Sequence, residues 1–194
     1  MPKMRLIYAV LVICAALNLS GAFLLRENVQ QPASSDLDDN CTVIASRGDC
    51  DFYTCFQRRH QCSEYLVEHA RDLCTKLENR RPQFTAQGQV WLSNQTKCVM
   101  EKLVPSYRLS VLDCNDLTEA GYGFYLECSL SGRPNVCDII WQNIEHFMAV
   151  TNMRSVRDAK FAFTTMTKCG LQSLQRFIRY LQEIRTPFTA LDIH

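Results

Sequence analysis

Apolar residues recur at helical spacing along most of the chain, and no stretch alternates apolar and polar residues for long enough to predict a sheet. In the clearest run, Leu66, Ala70, Leu73 and Leu77 share one face. Ser63 and Pro82 bracket this run, as is typical of residues at helix boundaries. The pattern predicts an all-α fold.

Two more helices are predicted in the middle of the chain. The first begins at Thr85 or Gln87 and ends at Pro105, because proline cannot donate a backbone hydrogen bond. Ser106 caps the second helix, which is interrupted by two glycines, Gly121 and Gly123.

The last third of the chain predicts a helix after Pro134 and another from Arg154 to Gln182, broken near Gly170. The first of these has a wide apolar face made of Val136, Ile139, Ile140, Ile144, Phe147 and Met148.

The first 22 residues have the pattern of a secretory signal peptide. Positive charges at Lys3 and Arg5 precede an apolar run from Leu6 to Leu19. Small residues, Ser20 and Ala22, then mark a cleavage site. Because the apolar run has 14 residues, it is shorter than the roughly 20 that span a bilayer. The sequence therefore predicts a secreted, extracellular protein.

Length and composition suit one folded domain. The chain has 194 residues, of which 47 % are hydrophobic and 21 % are charged, a globular composition. We expect a flexible, polar and acidic leader over residues 23–40, a helical domain over 41–183 and a short tail over 184–194. Apart from the signal peptide, no apolar run predicts a membrane span.

Cysteines determine how such a domain would be held together. Removal of Cys14 with the signal peptide leaves ten cysteines, an even number. Many lie too far apart for a small metal knuckle, whose ligands come in close pairs. Five intramolecular disulfides are therefore predicted, in an oxidising compartment. Spacing alone leaves their pairing open.

No catalytic, metal-binding or cofactor-binding set is predicted. The four histidines lack metal-ligand spacing, and the even cysteine count leaves no free thiol to act as a nucleophile. The formal net charge of +1 gives no electrostatic case for a nucleic-acid partner. These patterns favour a protein that binds partners over an enzyme.

Two sequons predict N-glycosylation. One begins at Asn94 and the other at Asn40, where the neighbouring Cys41 would compete if it formed a disulfide.

Charge is concentrated near the end of the domain. The segment from Arg154 to Arg185 carries seven bases and two acids. One interpretation is a solvated basic face. The other is a docking surface for an acidic partner or glycan, with Arg176 and Arg179 as the candidate binding residues.

Several cysteine motifs carry a resemblance to a known family. The intervals between the four central cysteines, Cys74, Cys98, Cys114 and Cys128, resemble those of the stanniocalcins. The segment FTAQGQVWLSNQTKC, from Phe84 to Cys98, is similar to that family's F-x-x-QG stretch ending in KC. Cys41-x8-Cys50-x4-Cys55 and Asn135-Val136-Cys137 also fit, so the resemblance covers about residues 41–181.

The resemblance implies a secreted glycoprotein hormone, endocrine or paracrine, that regulates calcium and phosphate homeostasis through a cell-surface receptor. As an alternative, it implies an inhibitor of pappalysin-type metalloproteases, which modulate growth-factor signalling. It also implies five disulfides, Cys41–Cys55, Cys50–Cys74, Cys62–Cys114, Cys98–Cys128 and Cys137–Cys169. A third hypothesis comes from the residues themselves, because helices tied by disulfides also build lipid carriers.

The chain departs from the family pattern at several points, including the intervals from Cys62 to Cys74 and from Cys137 to Cys169. The family's subunits are linked by a further cysteine, whereas this sequence has none after Cys169, so a homodimer here would be non-covalent. The usual sequon between the third and fourth cysteines is replaced by Gln57-Arg58-Arg59. Such departures fit a divergent member, such as an invertebrate one.

Overall fold

The computed structural model describes residues 30–62, 64–153 and 155–189, with the side chains of 30, 31, 64–66, 68 and 185–189 left out. The predicted signal peptide, residues 23–29 of the predicted leader and residues 190–194 of the predicted tail lie outside the described residues.

Nine α-helices and two three-residue strands are found among the described residues, which confirms the all-α prediction. The helices are α1 (Asp39–Arg47), α2 (Phe52–Arg59), α3 (Glu64–Arg80), α4 (Ala86–Arg108), α5 (Cys114–Leu130), α6 (Val136–Ile139), α7 (Ile144–Val150), α8 (Val156–Lys168) and α9 (Leu171–Thr189). The strands β1 (Gln30–Pro32) and β2 (Val111–Asp113) form one antiparallel pair. Single 3₁₀ turns follow α3 and α6, at Arg81–Gln83 and Ile140–Gln142.

Several predicted helix boundaries are confirmed. Helix α3 ends at Arg80, and Thr85 caps α4 by accepting a hydrogen bond from the Gly88 amide at 3.2 Å. The break near Gly170 separates α8 from α9, and this glycine has a left-handed φ of 99°. Such a φ favours glycine because it has no Cβ.

The boundaries predicted between α4 and α5 are wrong. Pro105 lies inside α4, which continues to Arg108, because buried Leu103 and Tyr107 hold its last turns against the core. Asp113, and not Ser106, caps α5 by accepting from the amides of Asn115 and Asp116 at 2.8 and 3.2 Å.

Helix α5 also runs without interruption through Gly121 and Gly123. Each glycine costs a helix only about 1 kcal/mol relative to alanine. Burial of Leu117 and Cys128 on the same helix offsets that cost.

Residues 30–40 of the predicted leader make backbone hydrogen bonds to the domain. Strand β1 pairs with β2, and the Ala33 amide donates to the Ser110 carbonyl at 2.8 Å. Although the segment is polar, its backbone N–H and C=O groups form hydrogen bonds with backbone groups of the domain. Composition alone does not predict such hydrogen bonds. At the other end, α9 extends to Thr189, into the predicted tail.

The disulfides join elements that are separate in the chain. The pairs are Cys41–Cys55, Cys50–Cys74, Cys62–Cys114, Cys98–Cys128 and Cys137–Cys169, the same five that the resemblance implies. The first four lie in or beside one core cluster, built around α1, α2, α3, α4 and α5. The fifth lies beside a second cluster, to which α6, α8 and α9 contribute.

A buried polar contact at the end of α2 fixes the first cluster. The Arg59 guanidinium donates to the carbonyls of Tyr107, at 2.8 Å, and Leu109, at 3.1 Å. His60, which is completely buried, places its Nε2 3.1 Å from the same Tyr107 carbonyl. Because a carbonyl only accepts, His60 carries a proton on Nε2.

The stability of this protein should fall with acid because of His60. Burial lowers the pKa of His60 below its ordinary 6.5, and the Arg59 charge lowers it further, against a partial rise from the Tyr107 hydrogen bond. Below pH of about 6.5 the unfolded chain therefore binds a proton that the folded chain refuses. We expect His60→Gln, which keeps a donor for the Tyr107 carbonyl, to reduce the loss of unfolding free energy between about pH 7 and pH 5.5.

Guanidinium denaturation at the two pH values measures this difference. The matched control is His146→Gln, since His146 is only partly buried. If both variants reduced the pH dependence of the unfolding free energy equally, or if His60→Gln did not reduce it, His60 would not be the cause of the loss of stability in acid.

Candidate functional site: an apolar cavity between the helices

An apolar cavity of about 190 Å³ lies between the two core clusters. Helices α3, α4, α5, α7 and α8 supply most of its wall. The lining includes Leu73, Trp91, Val99, Phe147, Phe161 and Met166. The apolar faces predicted for these helices therefore converge on a space that their side chains do not fill.

Aromatic side chains on different helices form much of the wall. The rings of Tyr125 and Phe161 meet edge to face with centroids 4.9 Å apart, and those of Trp91 and Phe147 with centroids 5.3 Å apart. The Trp91 indole N–H donates to the Ser129 carbonyl at 3.2 Å, which fixes the orientation of its ring. The edge-to-face contact of each of these two ring pairs is a favourable geometry for aromatic side chains.

Two buried polar side chains interrupt this apolar lining. Gln95, 2 % exposed, donates its Nε2 to Ser129 Oγ at 3.1 Å and to the Tyr125 carbonyl at 3.4 Å. Its Oε1 accepts no hydrogen bond from the described residues. The hydroxyl of Thr165, 4 % exposed, also has no partner within the described part of the chain.

The lack of a partner at Thr165 contrasts with its neighbours on α8. Thr164 and Thr167 each donate to the carbonyl four residues earlier, at 2.8 Å. A buried hydroxyl without a partner costs about 1–3 kcal/mol. The Thr165 hydroxyl therefore lowers the stability of the folded chain, whereas those of Thr164 and Thr167 do not.

Two phenols also belong to the wall, those of Tyr53 and Tyr125. Burial raises the pKa of both, that of Tyr125 to about 12 although the Gln95 amide lowers it in part. Both phenols are thus uncharged at neutral pH, and the wall carries no phenolate.

The rim of the cavity is more polar than its interior. His69 on α3 places Nε2 3.3 Å from Asp158 Oδ1 on α8, and these side chains are 31 % and 12 % exposed. Tyr122 lies on the same rim, with the Arg157 guanidinium 5.4 Å from its ring centroid. Gly121 precedes it on α5, and a Cβ built there would meet no atom within 4 Å.

The predicted partner-binding residues lie elsewhere. Arg176 and Arg179 are exposed on α9 and do not line the cavity. The Arg176 guanidinium stacks 4.2 Å from the centroid of the Trp141 ring. Their separation of three residues places both on one side of the helix.

Both predicted glycosylation sites are exposed. Asn94 lies on α4, and Asn40 lies in the first turn of α1 beside the Cys41–Cys55 disulfide. Attachment of a glycan at either residue stays a prediction.

Within residues 30–62, 64–153 and 155–189, no three His, Cys, Asp or Glu side chains cluster closely enough to hold a metal ion. No helix in the same ranges is long and apolar enough to span a membrane.

The chain was compared with protein-family models, with curated proteins and with solved structures, and none of these comparisons gave a match.

Sequence reasoning did not identify the cavity or its two unpartnered polar groups. A signal was present in α4, where Gln95 falls on the apolar face between Leu92 and Val99. Thr165 gives a weaker signal, because threonine is common on helices and usually bonds to the preceding turn. Which helices converge on these residues depends on long-range packing.

We expect Thr165→Val to stabilise the protein by about 1–2 kcal/mol, because valine has a similar shape and no unsatisfied hydroxyl. The measurement is chemical denaturation of the two proteins at neutral pH. Thr164→Val is the control and should give no gain, since it removes the hydroxyl that bonds to the Lys160 carbonyl. A loss of stability in Thr165→Val alone would mean that the hydroxyl already has a partner.

Proposed function

We propose that this protein is a secreted signalling glycoprotein of the stanniocalcin type, which acts outside the cell by binding a receptor and regulates calcium and phosphate homeostasis. The observation that carries the proposal is the cysteine framework. Ten cysteines in the order that resembles the family form the same five pairs that the resemblance implies.

The physical character of the domain supports extracellular binding. Five disulfides are typical of proteins that fold in an oxidising compartment. They also limit the motion of the helices, which lowers the ordering cost of association. The two sequons, at Asn40 and Asn94, lie on exposed positions, as glycan attachment requires.

Receptor binding is tested with labelled secreted protein on ion-transporting epithelial cells. The expected result is saturable binding that excess unlabelled protein displaces and that reduction and alkylation abolish. Binding that does not saturate, or that survives loss of the disulfides, would overturn the receptor proposal.

Inhibition of a pappalysin-type metalloprotease is the alternative that rests on the same resemblance. It is tested in parallel by adding the secreted protein to the recombinant protease. A stoichiometric complex with the protease and loss of its activity, without saturable binding to cells, would favour the inhibitor. Inactivity against the protease at micromolar excess would remove that alternative.

Any homodimer of this protein should be non-covalent, because every cysteine from Cys41 to Cys169 is used within the chain. Intact mass with and without reductant tests this, together with light scattering. The expected non-reduced species is a monomer ten hydrogens lighter than the reduced one. A covalent dimer mass would contradict it.

Reversal of charge at Arg176 and Arg179 should weaken binding to cells if the basic surface of α9 docks an acidic partner. We expect the Arg176→Glu/Arg179→Glu protein to bind about tenfold more weakly, with a reduced salt dependence, because exposed charges act through screened attraction. The control is Arg71→Glu/Arg108→Glu, which makes the same change in net charge at two exposed residues on α3 and α4.

Loss of stability must be separated from loss of contact, since Arg176 also stacks on Trp141. Arg176→Ala, measured alone by denaturation, gives the contribution of that stacking. Equal weakening in the two double variants would point to net charge and would remove Arg176 and Arg179 as a specific surface.

A further inference from the structure

We infer that the apolar cavity binds one small, compact and uncharged apolar molecule, of the size of a substituted benzene. The ligand is held by van der Waals contacts and by burial of its apolar surface, and it needs no hydrogen bond inside the cavity. This inference rests on the cavity. It goes beyond the proposed signalling function and does not depend on it.

The volume of the cavity, about 190 Å³, sets the size of the ligand. An engineered apolar cavity of roughly 150 Å³ stays free of water and binds benzene. Pockets that hold drug-sized ligands have about 300 Å³ or more. The space in this protein is much closer to the first of these values than to the second. We therefore expect a ligand of about six to ten carbon atoms.

The wall of the cavity offers apolar contacts from several helices. Trp91 lies on α4, Phe147 on α7 and Phe161 on α8, and Met166 of α8 adds a polarisable thioether. Aromatic rings and thioether sulfur atoms both make favourable contacts with an aromatic ligand. Removal of the ligand's own apolar surface from water adds the hydrophobic contribution. A compact aromatic or alicyclic hydrocarbon matches such a wall.

The buried polar groups beside the cavity do not select a polar ligand. Gln95 Oε1 and Thr165 Oγ1 have almost no accessible surface, so a molecule in the cavity does not reach them. Ser129 Oγ donates to the Tyr125 carbonyl at 2.7 Å, and the Trp91 indole N–H donates to the Ser129 carbonyl. These groups are thus either covered or already bonded within the protein. An apolar ligand gives up no hydrogen bond on entry and needs none from them.

The charged groups of the wall are already bonded to other groups. Among the described residues that line the cavity there is no lysine or arginine, and the ionisable side chains other than tyrosine are His69 and Asp158. His69 Nε2 lies 3.3 Å from Asp158 Oδ1, and Asp158 Oδ2 accepts from the Asn152 amide at 3.2 Å. Burial of an ion without a partner is costly. The cavity therefore favours an uncharged molecule.

Two disulfides hold helices of the wall in place. Cys98–Cys128 joins α4 to α5, and Cys50–Cys74 anchors α3, and all three helices contribute lining residues. A ligand therefore enters a space that is largely pre-formed, as small-molecule sites usually are. Pre-formation lowers the ordering cost of binding.

Two alanines on α8 provide a matched pair of variants. Both are partly buried, but Ala162 lines the cavity whereas Ala159, three residues earlier, does not. Ala162→Leu and Ala159→Leu make the same change in helix propensity, and only the first adds carbon atoms at the cavity. Ala70→Leu adds them from α3, on another part of the wall. It replaces Ala162→Leu if circular dichroism shows that the latter does not fold.

Trp91 supplies a direct reporter. The chain has two tryptophans, and Trp91 lines the cavity at 2 % exposure whereas Trp141 is not part of the wall. In a Trp141→Phe background, all tryptophan fluorescence comes from Trp91. A bromine atom quenches tryptophan only at contact distance, so bromobenzene tests whether a compact apolar molecule enters the cavity.

The expected result is saturable quenching of Trp91 by bromobenzene, reversed by toluene, which has no bromine. Ala162→Leu and Ala70→Leu should each weaken bromobenzene about tenfold or more, because the added side chain takes up part of the space. Ala159→Leu should leave the affinity unchanged. The charged analogue 4-bromobenzoate should bind at least about tenfold more weakly than bromobenzene.

Four outcomes would overturn the inference. Absence of saturable quenching up to the solubility limit of bromobenzene would mean that no such molecule enters the cavity. Equal saturable quenching of Trp141 in a Trp91→Phe protein would mean binding elsewhere. Equal affinities in the folded Ala159→Leu and cavity-lining variants would also exclude this cavity. Binding of 4-bromobenzoate as tight as that of bromobenzene would remove the uncharged class. None of these outcomes bears on the receptor-binding experiment, so the two proposals fail separately.

Discussion

The long helix α4 is the constraint on which the rest of the structure depends, because it buries one face along its whole length. Its 23 residues span about 35 Å at the usual helical rise. Trp91 and Leu92 near its start pack in the second core cluster, and Met100 and Tyr107 near its end pack in the first. Helix α4 therefore fixes the distance between the two clusters. The cavity lies beside the middle of this helix, between the two clusters. Gln95 is the polar residue of α4 at that point.

Buried polar groups determine how the surrounding segments attach to α4. The Tyr107 carbonyl receives both Arg59 and His60, which positions the end of α2 and the adjacent β1 segment. At the opposite end, Asn143 is fully buried and bonds to the Thr85 amide, the Thr85 hydroxyl and the Ile139 carbonyl, at 2.7 to 3.1 Å. Hydrogen bonds of this kind are directional, so they select one arrangement of helices that apolar contacts alone would leave less defined.

The periodicity predicts α3, α4, α5, α8 and α9. It does not predict α1 or α2, it gives α6 and α7 as one helix, and it misplaces the boundaries between α4 and α5. The apolar periodicity of α3 and the start of α4 at Thr85 are local signals, and the structure has both. Pro105 is also a local signal, but its effect on α4 was outweighed by burial of Leu103 and Tyr107. The pairing of β1 is not predictable from local signals, since β1 is polar and is held by backbone hydrogen bonds to a strand about 80 residues away.

The candidate site was less predictable than the fold, because it is a space and not a motif. Arg176 and Arg179 can be identified from the excess of basic residues in their segment. The cavity depends instead on how closely five helices pack against one another, which local sequence does not determine. Each disulfide in this chain closes a loop of 14 to 52 residues and contributes about 3–4 kcal/mol in the chain-entropy model. The covalent framework therefore stabilises the domain and holds the helices in place around this cavity.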